Sequence, residues 1–168
     1  MPETPQRPGE AVSPGTLASF TLAQSVAIQI TIPVLTVAAL AVVATGGDFD
    51  PTATTRLLDF GPLSQGKALG LDWLGRSATG YTLSVQSDHD GALKNLDPTF
   101  PDLVPYALTV GGASVTPRTD PIPVVIRPGA ATNAQGNGYP VMVTIGDPGN
   151  ASAGNYQDVI TITIRAGN

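Results

Sequence analysis

Ala153-Gly154-Asn155-Tyr156-Gln157-Asp158-Val159-Ile160-Thr161-Ile162-Thr163-Ile164 is the stretch that decides the fold. A turn signal leads into a long alternating run that stops close to residue 168. Tyr156, Ile160, Ile162 and Ile164 share one face, and Val159, Thr161 and Thr163 share the other. Period two is the signature of a strand with one buried face. Such a strand must pair with something, and its partner is the functional question.

Similar runs recur upstream. Residues 20–32 alternate, with Phe20, Leu22, Val26, Ile28, Ile30 and Ile32 as the apolar set. Pro33 ends or kinks that run, because proline cannot donate to a ladder. Residues 34–44 continue as an apolar run. Further strands are expected at 57–63, 68–74, 81–86, 106–110, 123–127, 139–145 and 156–164. Turn-rich stretches at 46–51, 87–91, 128–138 and 146–154 separate them. Eight or nine strands at this spacing predict an all-β sandwich or barrel, with less than about a tenth of the residues in helix.

Composition agrees. Gly (19) and Pro (16) together make 35 of 168 residues, and only 12% are charged. That favours many turns over a helical bundle. The length suits one domain with a full core. Residues 1–18 are rich in Pro and polar residues and read as a flexible tail. Met1-Pro2-Glu3 lacks the basic segment and apolar core of a standard signal peptide. Val26 to Ala44 is apolar enough to suggest a membrane span, yet its first half alternates, which a spanning helix has no reason to do.

Eight Lys and Arg stand against 13 Asp and Glu, a net charge of −5, and no basic cluster marks a nucleic-acid surface. The absence of cysteine excludes a disulfide framework, a thiolate metal site and a cysteine nucleophile. The single histidine, His89, sits in Ser87-Asp88-His89-Asp90-Gly91, which reads as a solvated hairpin turn rather than a metal site. Asp48 and Asp50 lack the oxygen-ligand pattern of a calcium loop. No nucleophile elbow or Ser-His-Asp order is present. Gly136-Asn137-Gly138 opens no helix and is not a phosphate loop. Asn150-Ala151-Ser152 is a formal glycosylation sequon that reads as a turn. Trp73, Tyr81, Tyr106, Tyr139 and Tyr156 suit core positions better than a sugar site, ring inward and hydroxyl at the rim. No catalytic residue, metal or cofactor is expected.

Several short motifs recur in order: Leu58-Asp59-Phe60-Gly61-Pro62-Leu63, Arg76-Ser77, Tyr81-Thr82-Leu83-Ser84-Val85, Gly91-Ala92-Leu93-Lys94 and Val104-Pro105-Tyr106-Ala107-Leu108-Thr109-Val110. With the ending Ala153-Gly154-x-Tyr156-x-Asp158-x-Ile160-x-Ile162, the chain resembles the spore coat protein U family over residues 57–165. These are secreted subunits of archaic chaperone–usher pili. Members commonly carry a disulfide, which this chain lacks. The resemblance implies an immunoglobulin-like sandwich that is incomplete and is completed by an N-terminal strand from the next subunit. It divides the chain into a tail (1–18), a donor strand (19–34) and a pilin domain (35–168). The donor residues would be Phe20, Leu22, Val26, Ile28, Ile30 and Ile32, and the acceptor groove would include Tyr156, Ile160, Ile162 and Ile164. Partners would be identical subunits, with a periplasmic chaperone and an outer-membrane usher during assembly. The filament would be extracellular, on the cell surface. A carbohydrate-binding or adhesin-type sandwich is the competing function.

The donor reading has a physical basis of its own. Four buried aliphatic side chains contribute a gross ~6–12 kcal/mol, less the entropy of ordering the segment. Residues 20–32 are therefore expected in a neighbour's groove, where Ile28→Asp with Ile30→Asp should abolish polymerisation while sparing the rest of the fold. Found in its own sandwich, the segment would instead mark a self-complemented monomer or a terminal subunit, and the expectation of a polymer would be withdrawn.

Overall fold

The computed structural model describes residues 26–31, 38–127 and 131–167. Eleven strands account for the regular structure: β1 (Val26–Thr31), β2 (Ala38–Val43), β3 (Thr55–Asp59), β4 (Ala68–Ser77), β5 (Tyr81–Ser87), β6 (Ala92–Asn95), β7 (Leu103–Val110), β8 (Ala113–Val115), β9 (Ile122–Arg127), β10 (Asn137–Ile145) and β11 (Tyr156–Ala166). Among the described residues there is no helix. None is long and apolar enough to cross a membrane. The apolar stretch that suggested a span forms β1 and β2 instead.

Two layers face each other. One runs β3-β1-β11-β5-β9, and the other β2-β4-β10-β7-β8. The short β6 pairs with both β11 and β7 and so joins the layers. Alternation is strict along β5, β7 and most of β10 and β11. In β5, Tyr81, Leu83 and Val85 are buried, and in β10 Tyr139, Val141, Val143 and Ile145 are. Trp73 and all four tyrosines lie in the core, so the aromatic side chains pack rather than line a sugar site.

Two strands escaped the sequence reading. β6 has four residues and β8 three, too short for a period to register. β4 extends to Ser77, three residues past its expected end. Its small Gly75 lets the Tyr81 ring lie close, within 3.3 Å of where a Cβ would stand.

The Gly154 of the terminal motif has a steric role. A Cβ there would lie 2.7 Å from Oδ1 of the buried Asn95. Gly154→Ala should destabilise by about 1–3 kcal/mol through overpacking. A drop of several degrees in the melting temperature checks this, and an unchanged melt contradicts it.

Candidate functional site: a groove filled by the first strand

β1 is first among the described strands and lies one in from the β3 edge of its layer. It pairs antiparallel with β3, Ile28 opposite Leu58, and parallel with β11, Ile28 opposite Asp158. Its contact with β11 is the one parallel pairing among the described strands. Val26, Ile28 and Ile30 are fully buried. Ala27, Gln29 and Thr31 face outward, half-buried or exposed. The Phe60 N–H extends the ladder by donating to the Val26 carbonyl at 2.8 Å. Without β1, β3 and β11 would border an open groove one strand wide.

This corrects the expectation that residues 20–32 lie in a neighbour's groove. In the single chain, 26–31 fill the groove of their own sandwich. The boundary between a donor strand at 19–34 and a sandwich at 35–168 is therefore not a boundary of packing. Three side chains that would face water cannot wait unpaired beside an open edge, so the isolated chain uses its own strand. Phe20, Leu22 and Ile32 fall outside the described residues. Of the acceptor residues, Tyr156 and Ile160 flank β1 directly, opposite Val26 and Ile30. Ile162 and Ile164 are buried too, but they pair with Val85 and Leu83 of β5, past the end of β1.

The groove wall holds a residue that the sequence reading passed over. Asp158 shares the parity of Tyr156 and Ile160, so β11 turns it inward, and it is fully buried. A buried carboxylate requires donors. Tyr106 donates from β7 at 2.6 Å and Ser87 from the end of β5 at 2.7 Å, both to Oδ2. His89 Nδ1 lies 3.0 Å from Oδ1. His89 is thus anchored to the core rather than merely solvated. Ser87 Oγ accepts the N–H groups of His89 and Gly91, which shapes the 88–91 turn. The cluster pins β5, β7 and the 88–91 turn to the strand that borders β1.

Serine, histidine and aspartate meet here without forming a nucleophile. The Ser87 hydroxyl proton goes to Asp158, not to the imidazole, and a hydroxyl has only one. Among the described residues, no three His, Cys, Asp or Glu side chains gather as metal ligands. Asp50 is occupied by the Thr52 N–H and hydroxyl, at 2.8 and 2.6 Å.

Burial and the Asp158 charge push the Tyr106 hydroxyl far above the usual tyrosine range. It remains a donor at any physiological pH. The folded value exceeds the unfolded one, so its stabilising contribution is complete below about pH 10 and is lost as pH rises beyond that. Wild-type stability should fall above pH 10, and Tyr106→Phe should flatten that fall. An identical alkaline slope in the variant would contradict the assignment.

No protein-family model and no curated protein sequence matches the chain, so the resemblance to the spore coat protein U family has no support from a family match. Among solved structures, the chain is similar to the CooA pilin subunit from enterotoxigenic Escherichia coli. The identity is 10% and the TM-score 0.38, over 74% of this chain and 97% of that one. The fold and site define the molecule as a two-layer β-sandwich closed by its own first strand.

Two substitution outcomes follow. Asp158→Ala strands two hydroxyls and an imidazole in or near the core and should cost about 3–5 kcal/mol, against about 1–2 kcal/mol for Tyr106→Phe, both read by urea unfolding. Ile28→Asp with Ile30→Asp should now unfold the monomer as well, because both side chains are fully buried in it. A double variant with a native melt would show that β1 does not occupy this groove.

Proposed function

We infer that the chain is a structural subunit of an extracellular filament that assembles by exchanging its first strand, and that the self-filled groove is its monomeric state. The observation that carries this reading is β1 itself, an interior strand joined along the chain to the other described strands through residues 32–37. Among the described residues, withdrawing it interrupts no other chain connection and breaks only its ladders to β3 and β11. The same strand from a second copy offers the same three side chains and the same ladder groups to the same groove. Exchange of identical elements is a low-cost route between monomer and assembly, and adding a strand to an open edge is an established mode of recognition.

The energetics favour a strand that can leave. Burying Val26, Ile28 and Ile30 contributes about 5–9 kcal/mol. Fixing six backbones costs about 6–12 kcal/mol. Terms of equal size leave the ladder to decide, and the β11 side of that ladder is parallel, the weaker arrangement per residue.

Assembly on identical subunits, with a periplasmic chaperone covering the groove and an outer-membrane usher releasing it, belongs to this proposal. So does a structural rather than catalytic role. Mixing tagged and untagged full-length chains after mild unfolding tests it. Multimers containing both chains, resistant to SDS and lost on boiling, are the expected result. An added peptide of residues 20–32 should cap them. Chains that remain monomeric at every concentration would leave a self-complemented monomer and defeat the proposal.

A further inference from the structure

A cleft of about 390 Å³ opens on the outer face of β11, where β5 has ended and β6 has not yet begun. Its frame follows from the strand pairing. β5 accompanies β11 as far as the Ser87–Ile160 pair, and β6 accompanies it at Tyr156 and Gln157. The 88–91 turn bridges the two residues between. The Asp88 N–H fastens that turn by donating to the Val159 carbonyl at 3.1 Å, and Lys94 stands opposite Gln157. Asp88 and Lys94 therefore flank β11 two residues apart, roughly 7 Å along the strand. Gln157 and Val159 face outward and line the same cleft.

Three polar groups at this cleft are without a partner. His89 Nδ1 is taken by the buried Asp158 at 3.0 Å. A carboxylate only accepts, so the ring proton is assigned to Nδ1, which leaves Nε2 as a bare acceptor. The His89 side chain is 31% exposed and lines the cleft. Among the described residues, neither Asp88 nor Lys94 has an ion-pair partner, each other included. Leu96, 59% exposed, and Pro98 give the same cleft an apolar wall. A concavity with an apolar wall and a few fixed polar groups is the usual form of a small-molecule site.

The charges say what fits. A simple anion would meet the Asp88 carboxylate and a chain of net charge −5. A simple cation would meet the Lys94 ammonium. A neutral polyol would leave both charges without a counter-charge. A molecule carrying both signs answers each of them. We propose that this cleft binds a small zwitterion of the amino-acid class. Its carboxylate lies on Lys94, and its ammonium lies on Asp88 and the bare Nε2 of His89. An apolar side chain rests against Leu96 and Pro98. Asp158 acts here as a positioning residue, since it holds the imidazole that the ligand meets. The cleft is on the outer face of β11, whereas β1 fills its groove with inward side chains, so the proposal does not depend on strand exchange.

His89 is the single histidine, so its ring resonances report on the cleft without ambiguity. Titrating the full-length protein with free leucine at constant pH should move them saturably in the millimolar range. Two matched probes each lack one charge: isocaproate has no ammonium, and isoamylamine has no carboxylate. Each should bind about tenfold or more weakly than leucine, because each forfeits a charge-assisted contact. Lys94→Gln should weaken leucine and isocaproate and spare isoamylamine. Asp88→Asn should weaken leucine and isoamylamine and spare isocaproate. Both side chains are exposed, so both variants should melt as wild type. This crossed pattern is one that a merely structural role would not produce. Shifts of equal affinity with leucine and a one-charge probe, or with methyl glucoside in place of leucine, would overturn the proposal. So would the lack of any saturable shift, and strand exchange would stand in each case.

Discussion

Everything in this molecule depends on the seating of one six-residue strand between two edges. β1 lies between β3 and β11, and its three inward side chains complete a core that the rest of the chain leaves open. A sheet interior is ordinarily built from strands with connections at both ends. Here the interior strand is joined to the other described strands through residues 32–37, at its C-terminal end. An interior position in the layer is thus occupied by an element whose removal interrupts no other chain connection among the described residues.

The wall facing that strand is tied to other elements as well. β11 is the longest strand at 11 residues, and it is shared between β5, β6 and β1. Asp158 adds a polar clamp in the middle of the wall. Three donors from two strands and a turn converge on its carboxylate, so β11 cannot slide by one residue without leaving the buried Ser87 and Tyr106 hydroxyls unpaired. A slip would also exchange its two faces. The clamp thus fixes register along the wall that pairs with β1.

Much of this was legible in the sequence, because strands with one wet face write their burial into a period of two. Tyr156, Ile160, Ile162 and Ile164 were readable as a buried face, and so were Val26, Ile28 and Ile30. Asp158 was passed over because its chemistry argued against burial while its parity argued for it. Parity wins where donors are available, and Tyr106 and Ser87 come from sequence positions far from it. His89 was read from its turn neighbours for the same reason, since its anchor is 69 residues away. The choice between a chain's own groove and a neighbour's is not written in periodicity at all. Both placements bury the same side chains, and only the chain connection tells them apart.

Native-state hydrogen exchange on the monomer reads the central claim, that β1 is seated in its own groove yet free to leave it. The amides of Ala27, Gln29 and Thr31 should be protected but should exchange through a local opening well below the global unfolding free energy, while those of β4, β10 and β11 exchange only on global unfolding. Protection of β1 equal to that of β11 across all denaturant concentrations would mean that the strand leaves only when the whole sandwich unfolds, which would contradict the account.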